Sequence, residues 1–381
     1  MPIAEFLKKS IKILFNYPVY FLTISRRKLK NLLPLDYYFY KKGFAFYPTI
    51  IHMEVTHHCN MNCSMCTLYS RDRKTGSLRS RLEEHPMDID LVRSFLREVS
   101  SFRPLISLTG GEPLLYKEID TIFSLTRQLG LDCCITTNGT LLEEHAGTIV
   151  DNGLISLLVS IDAPQETHDA IRGVPQTYEK AMRGIQKVIE LKRSRGAKRP
   201  RVIIATCISN RNYRTLSQLL DKVRDLDIES VNIEHLWFWT LDSVSAHQKI
   251  NALKDIKVFP QSIAASQDID TEVLIREIEK IKRSAYPFPV NFFPDLEPKA
   301  IKDYYDHPAR PIVKRCISPW RVVLVLPWGE VLPCLDYSFG SLETETFANI
   351  WNSRKARDFR ILLKKHRIFP SCRRCCGLFI V

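Results

Sequence analysis

Short β-branched runs alternate with amphipathic helical patterns between residues 49 and 238. Six runs predict strands, at 49–56, 105–109, 131–137, 155–161, 201–208 and 230–238. Helical patterns lie between them, at 88–101, 117–130, 141–152, 177–195 and 213–226. This alternation is typical of a parallel α/β sheet. The pattern therefore predicts an α/β fold, a partial (β/α)6 barrel of the TIM type, because a full eight-stranded barrel usually needs about 250 residues.

The alternation stops near residue 240. Residues 241–300 hold one clear helical pattern, at 271–283, and then a proline-rich stretch, so 241–309 is expected to be a linker or a substrate-side insertion. Farther on, 321–326 and 331–332 predict a hairpin that turns at 327–329, and a helix is expected around 350–353. The expected order is an N-terminal segment over 1–48, a barrel over 49–240, the insertion, and a small α+β domain over 310–381.

Cysteine, glycine and polar residues that are typical of binding sites follow the first four predicted strands. The strands lead, in order, into Cys59, Cys63 and Cys66, into Gly110-Gly111-Glu112-Pro113, into Thr136-Thr137-Asn138-Gly139, and into Ser160-Ile161-Asp162. The carboxyl ends of parallel strands share one edge of the sheet, where binding sites form. The four motifs are therefore expected to line one pocket.

Three of these residues are cysteines with the spacing C-x3-C-x2-C. Cys59, Cys63 and Cys66 can reach three corners of one iron-sulfur cube, and no other cysteine lies within 60 residues on either side. Such a cube would keep one iron open to a cofactor or substrate. A zinc site is the alternative, although zinc normally takes four protein ligands when it is structural.

This spacing resembles the signature of the radical S-adenosylmethionine (radical SAM) enzymes, and Gly110–Pro113 matches their GGEP motif. The resemblance implies that SAM chelates the open iron through its amino and carboxylate groups and is cleaved to a 5'-deoxyadenosyl radical. It implies a cluster on Cys59, Cys63 and Cys66. It also implies SAM contacts from Gly110, Gly111, Glu112, Thr136, Ser160 and Arg172.

Two further positions belong to this resemblance. Arg172, in the loop after the fourth strand, is expected to meet the SAM carboxylate, and Asp162 lies in the same loop. Met65 departs from the family, which often has an aromatic residue there, close to adenine. A thioether can also contact a purine face.

A second set of cysteines lies in the C-terminal region. Cys316, Cys334, Cys372 and Cys375 can close a complete 4Fe-4S cube, with Cys376 as an alternative to Cys375. The arrangement resembles the SPASM/twitch extension of radical SAM enzymes, in a short form with one auxiliary cluster, and structural zinc is the alternative. The remaining cysteines lie in predicted strands and are expected to be buried apolar residues, namely Cys133, Cys134 and Cys207.

Positive charge is concentrated at the N-terminus. The chain of 381 residues has a net charge of +13, and residues 1–45 contain nine Lys or Arg against two acidic residues. The apolar stretch at 13–24 includes Pro18 and is too short for a bilayer span of about 20 residues. An interfacial basic helix and a helix packed on the following domain are the two interpretations. No nucleic-acid-binding module accompanies the charge.

The absence of a secretory signal and the clustered thiols favour a location in the cytoplasm, with peripheral contact to the inner membrane face.

The function expected from these features is that of a radical SAM oxidoreductase. It would abstract a hydrogen atom, for dehydrogenation or epimerisation, from a small-molecule or lipid-linked substrate such as a lipid-linked sugar, with a reductant such as flavodoxin or ferredoxin. A peptide or protein maturase and a non-catalytic iron-sulfur protein are the alternatives. No catalytic acid or base is identified, because Glu234 and His235 on the sixth strand are better explained as buried, hydrogen-bonded polar residues.

Overall fold

Strands and helices alternate along the chain as the sequence predicts. A computed structural model describes residues 35–39, 42–66, 86–250, 268–334 and 337–375. The helices are α1 Leu35–Phe39, α2 Ile89–Ser100, α3 Ile119–Gln128, α4 Leu142–Asp151, α5 Gln165–Arg172, α6 Thr177–Ser194, α7 Leu216–Lys222, α8 Leu241–Gln248, α9 Thr271–Arg283, α10 Pro298–Tyr305, α11 Phe347–Trp351 and α12 Arg354–His366. The strands are β1 Ile50–Thr56, β2 Leu105–Gly110, β3 Asp132–Thr137, β4 Ser156–Ser160, β5 Arg201–Ile208, β6 Ser230–His235, β7 Val290–Phe293, β8 Val322–Val325, β9 Glu330–Leu332 and β10 Gly340–Ser341.

All of these strands form one sheet, in the order β10-β9-β8-β1-β2-β3-β4-β5-β6-β7. Every neighbouring pair from β1 to β7 is parallel. The six strands predicted from the sequence therefore lie side by side in chain order, and the α/β fold with a parallel sheet is confirmed. Their carboxyl ends lie along the same edge.

Helices cover the sheet because each presents an apolar stripe to it. In α2 the buried residues Val92, Phe95, Leu96 and Val99 recur with the helical period. Asp88 caps the N-terminus of this helix by accepting hydrogen bonds from the main-chain N–H groups of residues 90 and 91. The apolar faces of such helices and the inner residues of the strands form one continuous core.

The region after residue 240 contains more structure than the sequence predicts. The helix at Thr271–Arg283 is as predicted, but α8 precedes it and β7 extends the sheet by pairing in parallel with β6. The interpretation of 241–309 as a linker or insertion is thus wrong for residues 290–293. Prolines flank β7 without interrupting it, which an edge strand of four residues tolerates.

The C-terminal hairpin joins the same sheet. Strand β8 pairs in parallel with β1 and antiparallel with β9, and the turn between β8 and β9 contains Gly329 at φ +76°. This is the predicted hairpin, with a glycine where a left-handed backbone is required. The C-terminal region is therefore attached directly to the first strand of the barrel.

Residues 1–34 of the basic N-terminal segment predicted over 1–48 lie outside the described residues, and so does the apolar stretch at 13–24 on which its two interpretations depend. In the parts of the chain that the structure describes, no helix is long and apolar enough to cross a membrane.

Candidate active site

A cavity of about 200 Å³ opens at the carboxyl ends of β1 to β4. The residues that line it are Cys59, Met61, Cys63, Met65, Cys66, Thr109, Gly110, Gly111, Glu112, Thr136, Thr137, Asn138, Ser160 and Arg172. This set includes the three cysteines of the first motif and all six residues predicted to contact SAM. Four stretches that are far apart in sequence thus meet at one place, as expected for the carboxyl edge of a parallel sheet.

The loop that carries the three cysteines rests on the end of helix α5. The main-chain N–H groups of Asn62 and Ser64 donate hydrogen bonds to the carbonyls of Arg172 and Ile171, both at 2.9 Å. On the other side, Glu112 donates its main-chain N–H to the carbonyl of His58 at 2.8 Å. Main-chain hydrogen bonds therefore fix the cysteine loop between α5 and the GGEP motif.

The two glycines of that motif allow the close approach. A Cβ at Gly111 would lie 2.2 Å from the carbonyl oxygen of His58, and one at Gly110 would lie 2.4 Å from that of Thr56. Gly110 also has φ +121°, which side chains rarely permit. Any larger residue would push the cysteine loop away from β2.

The carboxylate of Glu112 is buried and firmly held. It accepts hydrogen bonds from the main-chain N–H of Leu114 at 3.1 Å, the hydroxyl of Thr137 at 2.7 Å and the main-chain N–H of Asn138 at 2.7 Å. Burial raises the pKa of this carboxyl group, and the hydrogen bonds from Asn138, Thr137 and Leu114 oppose that shift. The result is a preorganised hydrogen-bond acceptor at the cavity wall, suited to a cationic partner.

Thr137 and Asn138 belong to the third predicted motif and line the cavity, but the sequence analysis did not include them among the expected SAM contacts. Asn138 also donates its side-chain amide to the side-chain oxygen of Asn60, at 2.8 Å, and so joins β3 to the cysteine loop. The available signal was their place directly after Thr136, at the end of a strand.

Arg172 and Asp162 form a buried ion pair. The distance from Nη2 of Arg172 to Oδ2 of Asp162 is 2.7 Å, and their side chains are 11% and 0% exposed. The other terminal nitrogen, Nη1, lies 3.8 Å from Sγ of Cys63. Burial alone would lower the pKa of Arg172, but Asp162 and Cys63 raise it above its usual value. The predicted contact of Arg172 with the SAM carboxylate stays a prediction, since both terminal nitrogens already face protein groups.

The thiols of the first motif lie in a poorly solvated setting. Burial raises the pKa of Cys59 to about 12, and burial also raises the pKa of Cys63 while the charge of Arg172 opposes the shift. A bound metal centre provides the positive charge that converts such thiols into thiolates. Among the residues that the structure describes, no three His, Cys, Asp or Glu side chains are placed to hold a single metal ion. In a 4Fe-4S cube each thiolate binds a different iron.

The second set of cysteines is partly assembled. Burial raises the pKa of Cys316 well above its usual value, and the neighbouring thiols Cys372 and Cys375 raise it further. Cys372 and Cys375 pack against the core, whereas Cys334 follows β9 and is exposed. Cys376 lies outside the described residues. Three of the four predicted ligands are thus near enough to affect one another: Cys372 lies on a short helical turn at Pro370–Arg374, Cys375 directly follows that turn, and Cys316 lies in the chain before β8.

The remaining candidates differ in how deeply their side chains are buried. Cys133 and Cys134 are buried as predicted, whereas Cys207 is partly exposed. His235 is buried, with Nδ1 2.9 Å from the hydroxyl oxygen of Tyr305, and so behaves as a polar core residue. Glu234 has an exposed side chain, so the interpretation as a polar core residue is wrong for it.

Comparison with known proteins agrees with this geometry. A family model described as the radical SAM superfamily matches residues 53–223, and an iron-sulfur cluster-binding domain, SPASM, matches residues 316–376. The chain contains a radical SAM domain and a C-terminal SPASM domain. It is therefore an enzyme whose cofactors are 4Fe-4S clusters and SAM.

Individual radical SAM relatives match over most of the chain. It is 26% identical to an AdoMet-dependent heme synthase of Methanosarcina barkeri, over 87% of this chain and 90% of the relative. It is 23% identical to a tungsten-containing aldehyde ferredoxin oxidoreductase cofactor-modifying protein of Pyrococcus furiosus, over 85% and 86% of the two chains. The fold is similar to that of Streptococcus suis SuiB, solved with S-adenosylmethionine, with a TM-score of 0.60, 14% identity, and coverage of 93% of this chain and 79% of SuiB.

Proposed function

We propose that this radical SAM enzyme holds its catalytic cluster on Cys59, Cys63 and Cys66 and binds SAM in the adjoining cavity. The observation that carries the proposal is the convergence of the three cysteines with Gly110, Gly111, Glu112, Thr136, Ser160 and Arg172 around one cavity of about 200 Å³. Bound there, the cluster and SAM supply a radical that abstracts a hydrogen atom from the substrate.

The residues of the cavity have distinct tasks in this proposal. Glu112, whose carboxylate is fixed by three hydrogen-bond donors, receives the amino group of SAM. The glycines at 110 and 111 keep the cysteine loop and the strand end in contact and leave the backbone accessible. Thr136 and Ser160, at the ends of β3 and β4, contact the methionine and ribose parts of the cofactor.

The second cluster is proposed to lie on Cys316, Cys334, Cys372 and Cys375. Its support is the proximity of three of these thiols in the core of the C-terminal region. An auxiliary cluster that accepts the electron left after hydrogen abstraction would make the reaction a dehydrogenation. If the product is an epimer, a thiol or tyrosine must return a hydrogen atom from the opposite face.

The first experiment is anaerobic reconstitution followed by a search for 5'-deoxyadenosine from SAM and dithionite. The variant with Cys59, Cys63 and Cys66 all changed to Ala is expected to lose one cluster's share of iron and all 5'-deoxyadenosine. Cys133→Ala is the matched control, because it removes a buried thiol distant from both cysteine sets in the sequence. Formation of 5'-deoxyadenosine by the triple variant would refute the assignment, and its absence from the unmodified, iron-loaded protein would refute the proposed cleavage of SAM at this cavity.

A second variant separates the two clusters. Cys316→Ala combined with Cys372→Ala is expected to lose the other share of iron yet still cleave SAM in the presence of dithionite. Loss of all iron together with unfolding in this variant would show that the C-terminal thiols are not an independent site.

The substrate is proposed to be a lipid-linked sugar or another membrane-proximal metabolite. The reductant of the enzyme is proposed to be a flavodoxin or ferredoxin. The support for the substrate is the charge of residues 1–45, nine Lys or Arg against two acidic residues. Sedimentation with vesicles containing anionic lipid should retain the full chain and release a chain that lacks residues 1–30. Equal sedimentation of the two proteins would rule out the membrane-proximal substrate.

A peptide or protein maturase is the second candidate. SuiB, which shares the fold, has also been solved bound to its precursor peptide SuiA, with a TM-score of 0.60 and 14% identity to this chain. Incubation of the reconstituted enzyme with small peptides encoded beside its gene, followed by mass spectrometry, tests this candidate. Loss of two hydrogens from such a peptide would support it.

A further inference from the structure

Helix α5 determines where Arg172 lies relative to the cysteine loop. The loop donates main-chain hydrogen bonds to the carbonyls of Ile171 and Arg172, and α5 ends at Gly173 with φ +69°. A Cβ on Gly173 would lie 2.5 Å from the carbonyl oxygen of Asn62. The last residues of α5 and the loop around Cys63 are therefore held as one unit, which leaves the side chain of Arg172 little freedom.

The guanidinium of Arg172 is held on its other side by Asp162. Asp162 is 0% exposed, and its Oδ1 accepts a hydrogen bond from the main-chain N–H of Cys207 at 3.1 Å. With Nη2 bound to Asp162, the planar guanidinium directs Nη1 toward Sγ of Cys63, 3.8 Å away, within reach of a hydrogen bond to sulfur. The end of α5 and the carboxylate of Asp162 thus together hold Nη1 of Arg172 near the sulfur of Cys63.

We propose that Arg172 sets the reduction potential of the catalytic cluster by donating a charge-assisted hydrogen bond to the Cys63 thiolate, and that Asp162 positions it. This inference rests on the proposed function, in which Cys63 binds the cluster. Hydrogen bonds to the sulfurs and nearby charge are among the factors that fix the potential of an iron-sulfur cluster. The reduced cluster carries one more negative charge than the oxidised one, so a positive donor favours reduction and raises the potential.

This role of Arg172 differs from the contact with the SAM carboxylate that the family resemblance implies. The two roles can be distinguished by experiment. A contact with SAM changes the affinity for SAM and leaves the potential of the SAM-free cluster alone. A hydrogen bond to Cys63 changes the potential before SAM is added. Both quantities can be measured without knowing the substrate.

The test compares Asp162→Asn with the double variant Asp162→Asn/Arg172→Gln. Changing Arg172 alone would leave Asp162 buried without a counter-charge, which is strongly destabilising. In Asp162→Asn the guanidinium of Arg172 keeps the cluster-bound Cys63 thiolate as its anionic partner, and in the double variant neither charge of the pair remains. Iron and sulfide are assayed first. The potential is then measured by an anaerobic titration followed by electron paramagnetic resonance, and the catalytic cluster is recognised as the signal that changes when SAM is added afterwards.

Removal of Arg172 is expected to lower the potential of the catalytic cluster in the Asp162→Asn background. The expected shift is at least a tenfold change in the one-electron equilibrium, about 59 mV. Arg193→Gln, at an exposed arginine on α6, is expected to match the unmodified protein. The auxiliary cluster serves as an internal reference, and its potential should be the same in all variants.

Three outcomes would overturn the proposal in distinguishable ways. Full iron content with an unchanged potential in the double variant would overturn the tuning role only. An unchanged potential with weaker SAM binding would assign Arg172 to the SAM carboxylate instead. Absence of a SAM-responsive cluster from the unmodified protein would refute the proposed function as well.

Discussion

At the scale of single residues, the cavity depends on glycines that lack a Cβ as much as on the side chains that line it. Gly111 is the clearest case, because a Cβ there would meet two carbonyl oxygens, those of His58 at 2.2 Å and His57 at 2.6 Å. Backbone oxygens cannot move aside as the end of a flexible side chain can. The tight contact between GGEP and the cysteine loop therefore requires glycine.

Gly111→Ala is expected to weaken retention of the catalytic cluster and to lower the yield of 5'-deoxyadenosine at least tenfold, because the loop must move away from β2. Iron content and 5'-deoxyadenosine are the measurements. Gly147→Ala is the matched control, since Gly147 lies inside α4 where a Cβ meets only the side chain of Arg195 at 3.9 Å. The control should stabilise the fold by about 0.5–1 kcal/mol and leave the cluster intact. Normal cluster content in Gly111→Ala would contradict the steric argument.

A second prediction at this scale concerns pH. Burial lowers the pKa of His235 from the usual 6.5 to about 3, so the folded chain holds this imidazole neutral while the unfolded chain protonates it. The unfolded state binds the extra proton below pH 6.5, and this contribution to stability is lost as pH falls from 6.5 toward 3. The contribution of this residue amounts to about 2 kcal/mol between pH 7.5 and 5.

His235→Gln should therefore show a smaller decrease in unfolding free energy than the unmodified protein when pH is lowered from about 7.5 to 5. Chemical denaturation at several pH values measures it. His307→Gln, at an exposed position, should keep the full decrease. Identical pH profiles for His235→Gln and the unmodified protein would show that His235 is not held neutral by the fold.

The sequence predicts the residues of the site better than their partners. Sequence motifs predict Cys59, Glu112 and Arg172 as cavity residues, because the type of each residue indicates the chemistry it can perform. The partners of Arg172 are not predictable in this way. Its pairing with Asp162 and its approach to Cys63 depend on how α5 lies under the loop, which only the packing decides.

At the scale of elements, apolar periodicity predicts the long strands and helices. It misses short elements whose formation depends on contacts with neighbouring elements or on local capping. Strand β7 has four residues between prolines, too few for a recognisable alternation, and it exists because β6 offers it an edge. Helix α8 begins with a capping box at Thr240 and Ser243, a local signal that the weak amphipathicity of the segment conceals.

The helix α11 provides a prediction at this scale, since its N-terminus is capped by a side chain from another element. The carboxylate of Glu98, on α2, accepts hydrogen bonds from the main-chain N–H groups of Phe347 at 3.0 Å and Ala348 at 2.8 Å. Glu98→Gln leaves one acceptor for two donors and removes a negative charge from the positive end of the helix. The expected cost is about 1–2 kcal/mol of unfolding free energy.

Equilibrium denaturation measures this cost, and Glu144→Gln, an exposed glutamate in the first turn of α4, is the control. The control loses a charge near a helix N-terminus without losing a bridge between elements. An equal effect of the two substitutions would indicate that the bridge from α2 to α11 contributes nothing beyond the helix dipole.

At the scale of the whole molecule, the sheet connects the region before the first strand with the C-terminal region. Strand β8 lies beside β1, and Trp351 donates its indole N–H to the carbonyl of Phe46 at 2.9 Å. The hairpin that carries Cys334 is thus anchored to the strand that leads into the first cysteine motif. The two cysteine sets are parts of one sheet-based scaffold, which a division of the sequence into consecutive domains does not convey.

A buried ion pair also links these regions. Nη2 and Nη1 of Arg321, which precedes β8, donate to Oδ1 and Oδ2 of Asp36 on α1 at 2.7 and 2.8 Å. Asp36 also accepts a main-chain hydrogen bond from Phe46 at 2.9 Å. Both side chains are almost fully buried, at 1% and 2% exposure, so water cannot replace either partner.

Asp36→Asn is therefore expected to cost roughly 3–5 kcal/mol of unfolding free energy, because it leaves the guanidinium of Arg321 buried without a counter-charge. The matched control is Asp227→Asn, which breaks the exposed pair with Arg193 and should cost about 0–1 kcal/mol. Replacing both buried partners with apolar residues, Asp36→Leu with Arg321→Met, should recover much of the loss, since neither charge then remains uncompensated. A double replacement as unstable as Asp36→Asn would show that the hydrogen bonds of Asp36 to the main chain, rather than the ion pair, hold the region before the first strand to the C-terminal part of the sheet.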